Sequence, residues 1–379
     1  MKIAVVCVEE IDSRPPVIEL VGALLSLGHT VLVIGRNLCS LPVDIKNNAA
    51  VSIEELGKKS KGLSRILSSI SDRRRIRKRL NRERDIDVLW AATDISVREC
   101  LSSAKRYKFV AQLPELVEFV PFLRLGEFYL KDYAVPAVVR TAACVVVPEY
   151  NRAHIQKIWW KLPQLPVVLP NKSALPVGIA LEDTNYAGMA LELMREKKKV
   201  LLYQGGFTSD RDLTPVVEAL PLLDGQYALY IMGPINNEEE SKRVDNWCQM
   251  SSDVHYVGFV CPPNHLLFTR YGHIGLLPYA PSQDKTRASS LNALYCAPNK
   301  IWEYSREGLP MIGSDVPGLA SLFDRFDIGV TANLDSPVDI AEAIRKVEEN
   351  YDEYSSNSAT YYSTVDVRGI VEEILERCE

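Results

Sequence analysis

The residues best equipped to do chemistry lie between Cys296 and Val316. Pro298 predicts the start of a helix, because proline lacks the N–H that a first helical turn leaves unpaired in any case. Ile301, Tyr304 and Ser305 follow at helical spacing, and Gly308 predicts the helix end, since glycine accepts left-handed cap geometry. Leu309–Ile312 then reads as a short buried strand. The predicted helix opens with free backbone N–H groups beside Asn299 and Lys300, and carries a carboxylate one turn in at Glu303. A helix start with a lysine suits an anion such as a diphosphate. A carboxylate about a turn further suits the diol of a ribose. These features together make half of a nucleotide-diphosphate site.

A second cluster opens the same half of the chain. Val200–Tyr203 is a continuous apolar strand, followed by Gln204-Gly205-Gly206-Phe207-Thr208-Ser209-Asp210-Arg211. Two glycines at the carboxyl end of a strand let backbone come close to a ligand, and ligands of open α/β sheets bind at such ends. Arg211 brings a cation there, or else is a surface arginine at a helix start. Tyr227–Met232 and Val254–Val260 are further strands. Phe259 either stacks on a nucleotide base or belongs to the core. Ile274–Pro278 is a strand leading to a long basic loop with Lys285 and Arg287, a candidate cover for phosphates. Neither Gly-x-Gly-x-x-Gly nor Gly-x4-Gly-Lys-Ser/Thr occurs, which weighs against a nicotinamide dehydrogenase and a P-loop nucleotidase.

Pro298-Asn299-Lys300-Ile301-Trp302-Glu303-Tyr304, followed by Gly308-Leu309-Pro310-Met311-Ile312, resembles the donor-site signature of GT-B glycosyltransferases, particularly the retaining family-four type. The Tyr203–Leu213 loop, Leu27-Gly28-His29-Thr30-Val31 and Val168-Leu169-Pro170-Asn171 are similar to other pieces of that fold family. The resemblance implies an α/β chain of two Rossmann-like, doubly wound domains facing a central cleft. Its domains are expected at 1–175 and 199–355, with a linker at 176–198 and a terminal segment, 356–379, crossing back to the first domain. It implies Lys300 and Arg211 on the diphosphate and Glu303 on the ribose. Gly205, Gly206, Asn299, Phe259 and Val260 would surround the nucleotide, and Glu115 would face acceptor or donor sugar. No metal and no cofactor are expected, the nucleotide sugar being a substrate. Two positions depart from the family pattern: Tyr295 stands where the first Glu of Glu-x7-Glu would fall, and Pro114 where a cleft-facing His would stand.

The elements that must position these residues follow from the rest of the chain. At 379 residues, two domains are expected. Hydrophobic residues make up 47% and charged residues 25%, as in a soluble globular protein, and the net charge of −5 argues against nucleic acid as a partner. Eight cysteines lie scattered, without metal-like spacing to the five histidines, which suits a reducing cytosol. Lys2–Val8 reads as a first strand rather than a signal peptide. With the helix Val17–Leu27 and the strand Thr30–Ile34 it forms a βαβ unit, and strands follow at Val88–Ala91, Lys108–Gln112 and Ala142–Val147. Asp85-Ile86-Asp87 is either a strand start or a metal motif, and the context favours the strand. Two helices, Val338–Glu349 and Val365–Cys378, are expected to end the chain.

Residues 58–85 concentrate basic side chains, including Arg73, Arg74, Arg75, Arg77, Lys78 and Arg79, with Leu63, Ile66, Leu67 and Ile70 on one helical face. One reading is a solvated helix; the other is an interfacial helix that binds an anionic membrane or a lipid-diphosphate acceptor. The expected activity is sugar transfer from a UDP, GDP or similar donor to a glycan or lipid-linked acceptor. The expected setting is bacterial surface-polysaccharide assembly, in the cytoplasm or on the inner face of the plasma membrane. Two rivals stay open: a nucleotide-sugar epimerase on the same fold, and a two-lobed binding protein without chemistry.

Overall fold

The computed structural model describes residues 1–57, 64–83, 85–119, 121–125, 128–131, 134–172, 187–208, 210–280 and 290–379. They form two compact units. The first contains residues 1–171, the short piece 290–292 and the terminus 366–379; the second contains the remainder.

The first unit is built on β1 (Lys2–Glu10), β2 (Thr30–Arg36), β3 (Val51–Glu55), β4 (Val88–Ala91) and β5 (Lys108–Gln112). A hairpin, β6 (Pro121–Leu125) and β7 (Phe128–Lys131), precedes β8 (Cys144–Val147) and β9 (Val167–Val168). The sheet order is β3-β2-β1-β4-β5-β8-β9, with every pairing parallel. Ile3–Cys7 are fully buried, as an unbroken apolar run must be when helices cover both faces of a parallel sheet.

The second unit repeats the plan with β10 (Lys199–Gln204), β11 (Tyr227–Met232), β12 (Val254–Gly258), β13 (Ile274–Leu277), β14 (Met311–Ser314) and β15 (Gly329–Ala332). Their order, β12-β11-β10-β13-β14-β15, is again parallel and reverses direction at β10/β13. Both units are therefore doubly wound Rossmann-like folds, in which the point of reversal opens a crevice at the carboxyl ends of the strands.

The helix Asn299–Arg306 lies against this second sheet. Pro298 is its N-cap in extended geometry (φ −72°, ψ 140°), so the helix begins one residue later than the proline predicts. Gly308 takes φ +68°, the left-handed geometry that selects glycine. Tyr304 anchors the helix: its hydroxyl donates to Leu202 O (3.0 Å) and accepts from Gln204 N (3.3 Å). The ring lies flat on β13 because residue 275 is glycine. A Cβ there would sit 2.3 Å from Tyr304 Cδ2.

The basic helix forms over Ser64–Arg82 and is held by Ile76 and Leu80, both fully buried, while Ile70 is 41% exposed. Leu63 and the side chains of Ile66 and Leu67 lie outside the described residues. The helix packs on Asp94–Ala104, and this seam takes up part of its charge. Arg73 pairs with Glu99 at 2.7 Å, Arg75 and Arg79 each lie 3.5 Å from Glu54, and Arg79 also pairs with Glu83. Arg74, Arg77 and Lys78 remain exposed.

Asp85 and Asp87 sit at the start of β4 and bind Lys2, through Nζ (3.0 Å) and backbone N (2.7 Å). The C-terminal region holds three helices rather than two, Pro337–Glu349, Tyr351–Ser363 and Val367–Glu376. Tyr351–Ser363 belongs to the second unit; only from Asp366 onward does the chain join the first, where Val367–Glu376 packs on Pro15–Ser26.

The Gly275–Tyr304 contact yields a test. Gly275→Ala should destabilise the protein by roughly 1–3 kcal/mol, the usual cost of overpacking a close contact. Urea unfolding reads this directly, and an unchanged midpoint would contradict the packing described.

Candidate functional site

At the carboxyl end of β10 the backbone passes through Gly205 and Gly206 and turns back through Asp210 and Arg211. Gly205 has φ +148°, outside the range of L-side chains, and its N–H donates to Met232 O at 2.8 Å. The neighbouring strand end comes so close that a Cβ on Gly233 would lie 1.8 Å from Gly205 O. Only bare backbone fits here, and the space this frees is taken by a cation. A Cβ on Gly205 would meet Lys300 Nζ at 2.8 Å, and one on Gly206 would meet Arg211 Nη1 at 3.9 Å.

Two tyrosines wall the cations. Lys300 Nζ lies 5.0 Å from the centre of the Tyr203 ring and 5.3 Å from that of Tyr279. The Arg211 guanidinium lies 5.1 Å from Tyr279. Tyr203 donates to Gly206 O at 2.6 Å, which fixes the loop. Ring faces attract cations but do not neutralise them.

Among the described residues the acidic contact of this pair is Asp210, whose Oδ2 is 3.8 Å from Arg211 Nε. That Nε is enclosed and has no hydrogen-bond acceptor. Lys300 is only 5% exposed. Burial, and next the charge of Arg211, lower its pKa to about 7. Arg211 is shifted upward: burial opposes its charge, but the Tyr279 and Tyr203 phenols and Asp210 outweigh it.

Glu303 lies one turn below Lys300 and is almost wholly buried. Gln204 Nε2 donates to its Oε2 at 2.6 Å, and His265 Nε2 lies 3.1 Å from its Oε1. Gln204 Oε1 in turn accepts from Thr269 (2.9 Å). Burial pushes the Glu303 carboxyl upward, yet His265, the Gln204 bond and Lys300 outweigh it, and its pKa is lowered. The carboxylate is thus ionised and fixed. Each oxygen has one protein partner, which leaves lone pairs for a ligand hydroxyl.

The structure therefore brings together Lys300, Arg211, Gly205, Gly206 and, beneath them, Glu303, with Asn299 as the first helical residue. Phe259 is 45% exposed on the loop after β12 and is not a core residue, whereas the Val260 side chain is buried. Glu115 belongs to the first unit, where it accepts from Asn292 Nδ2 at 2.9 Å while Leu116 N donates to Asn292 Oδ1 at 2.9 Å. Lys285 and Arg287 lie outside the described residues. Sequence reasoning missed Tyr203, Tyr279, Gln204 and His265. The two tyrosines carried a usable signal, each being an aromatic at the carboxyl end of a strand. Gln204 and His265 carried none.

No protein-family model and no curated protein matches the sequence. Solved structures do match its fold. Sucrose-phosphate synthase from Thermosynechococcus elongatus is 15% identical with a TM-score of 0.67, over 99% of this chain and 94% of that one. Anabaena HepE in complex with UDP is 13% identical with a TM-score of 0.65, over 99% of each chain. A glycosyltransferase from Rickettsia africae is 14% identical with a TM-score of 0.64, over 100% and 97%. The chain has the two-domain GT-B fold.

The titration of Lys300 yields a pH prediction. Below about pH 7 the ammonium is already charged and binds an anion without taking up a proton. Above it, binding must protonate the amine, so affinity for inorganic pyrophosphate falls by up to about tenfold per pH unit. Calorimetry in buffers of different ionisation enthalpy should find close to one proton taken up at pH 8.5. In Lys300→Arg that uptake should vanish. Pyrophosphate binding with no proton uptake in the wild type would contradict the assignment.

Proposed function

We propose that the chain is a glycosyltransferase that binds the diphosphate of a nucleotide sugar at Lys300 and Arg211. The observation that carries this reading is the pair of cations beside Gly205 and Gly206, at the strand ends where the sheet order reverses, with no carboxylate in ion-pair contact with Lys300 among the described residues. Supporting it are the fixed Glu303 carboxylate one turn below and the exposed Phe259 ring. Sequence signature and fold point the same way: the fold matches include a UDP complex and a glycosyltransferase from Rickettsia africae.

Sugar transfer breaks the bond between the anomeric carbon and the diphosphate oxygen while a bond to the acceptor oxygen forms. Negative charge gathers on the departing diphosphate. Lys300 and Arg211 are already in place to meet it and need no reorganisation as it forms, which is what lowers a barrier of this kind. The Pro298 cap leaves the N–H groups of Asn299 and Lys300 for the same purpose, while Ile301 N–H already donates to Pro298 O at 3.3 Å. Asn299 and the Gly205–Gly206 backbone complete the nucleotide end, and Glu303 receives the ribose. Lys285 and Arg287 are assigned to the phosphates by their place in the loop after β13.

The acceptor is a glycan or lipid-linked glycan, and Glu115 contacts acceptor or donor sugar. Retention at the anomeric carbon and a role in surface-polysaccharide assembly follow from the family resemblance. The exposed Arg74, Arg77 and Lys78 are assigned to an anionic membrane surface, while Arg73, Arg75 and Arg79 are held at least in part by Glu99, Glu54 and Glu83. No helix among the described residues is long and apolar enough to cross a membrane.

Incubation with labelled nucleotide sugars and a membrane extract tests the activity. Label should move to the lipid fraction, and Lys300→Ala and Arg211→Ala should each lower the rate by about 10²–10³ while thermal melts stay cooperative. Interconversion of free nucleotide sugar would instead identify an epimerase, and retention without turnover a binding protein. Vesicles of anionic lipid at low salt should bind the wild type. Reversal of charge at Arg74, Arg77 and Lys78 should release it, and equal binding by this variant would remove the helix from the membrane contact.

A further inference from the structure

His265 has so far appeared only as a partner of Glu303, yet its position is unusual. It lies just before the short helix Leu266–Thr269, in the segment that begins with Phe259 and Val260 after β12. The side chain is nine-tenths buried. Nε2 faces the Glu303 carboxylate at 3.1 Å, and Nδ1 is enclosed without a hydrogen-bond partner.

The chemistry of the ring follows from its neighbour. A carboxylate accepts hydrogen bonds, so Nε2 carries the proton. In the neutral imidazole Nδ1 is then a bare acceptor. An enclosed polar atom without a partner weakens a fold, and a water, ion or ligand commonly completes one. The carboxylate that fixes this ring sits one turn below Lys300 on the same helix, which places the unsatisfied nitrogen beside the residues assigned to the nucleotide. To the neutral ring, the completing group is a hydrogen-bond donor, which a phosphate oxygen is not. The donors a nucleoside offers are a ribose O–H and a base N–H.

We propose that His265 Nδ1 accepts a hydrogen bond from the nucleoside part of the donor, making His265 a recognition residue that couples nucleoside binding to the Glu303 carboxylate. This rests on the nucleotide reading of the site and adds a contact that the signature motif does not contain. Lys300 and Arg211 would grip any diphosphate; His265 would distinguish a nucleoside diphosphate from a bare one.

His265→Gln separates the two nitrogens. The glutamine amide can still donate to Glu303 from near the Nε2 position, but it has no counterpart to Nδ1. Titration calorimetry with inorganic pyrophosphate, UDP and GDP should show an unchanged pyrophosphate affinity. Affinity for the better nucleotide should fall by about tenfold, the effect of one hydrogen bond. The 2′-deoxy, 3′-deoxy and N-methylated-base forms of that nucleotide identify the partner. The analogue lacking the donor group should bind wild type and variant alike.

Nitrogen-15 NMR of the wild-type imidazole reads the contact without a substitution. The bare Nδ1 resonance should move on addition of the nucleotide and stay in place with pyrophosphate. A nucleotide affinity unchanged in His265→Gln, an equal loss for pyrophosphate and nucleotide, or an unmoved Nδ1 resonance would each overturn the assignment. A wild type that binds pyrophosphate but neither UDP nor GDP would overturn the nucleotide reading as well, a distinguishable failure.

Discussion

Holding two positive charges near each other, one of them taken almost wholly out of water, is unfavourable. Desolvation removes the hydration that stabilises an ammonium ion, and a neighbouring guanidinium adds repulsion. Lys300 bears both penalties, visible in a pKa lowered to about 7. Most buried cations in proteins are paired with a carboxylate. Here the nearest candidate, Glu303, is turned toward Gln204 and His265, and Asp210 stands 3.8 Å from Arg211. The arrangement is one that an anion relieves, and more so the greater its charge.

Much of the second unit serves to keep that arrangement in place. Parallel strands bring β10 and β13 side by side where the order reverses, and the chain leaves both ends toward the same crevice. Glycine at 205 and 233 lets two backbone segments and one lysine occupy space that side chains would otherwise fill. Tyr304, seated on Gly275 and bonded to the backbone of Leu202, locks the helix that carries Lys300 and Glu303 to the sheet. Backbone shape, helix position and cation position are thus fixed by the same few contacts. Such preorganisation gives a fixed charge its effect on a developing one.

The fold was largely legible in the sequence because its signals are local. Unbroken apolar runs such as Ile3–Val6 and Val200–Tyr203 announce buried parallel strands, and Pro298 and Gly308 bracket a helix through backbone geometry alone. Lys300, Arg211 and the two glycines could be named because each lies within a few residues of a strand or helix end. What stayed hidden depends on contacts distant in sequence. His265 and Glu303 are 38 positions apart, and no pattern near His265 announces their meeting. The basic helix shows the same limit. Its sequence showed an apolar face, but not that Ile76 and Leu80 would be buried or that Glu99, on Asp94–Ala104, would hold Arg73. The helix Tyr351–Ser363 was overlooked for a compositional reason: it is rich in serine and tyrosine, weak helix formers, and tertiary packing supplies the stability.

The central claim is that the space beside Lys300, Arg211 and Gly205 is a pyrophosphate cradle. A crystal structure with UDP or GDP bound tests it most directly. The account predicts the pyrophosphate against Lys300 Nζ and the Arg211 guanidinium, within reach of the backbone at Gly205 and Gly206. A nucleotide lodged elsewhere, or the cradle filled by the protein's own carboxylate on Lys300, would contradict it.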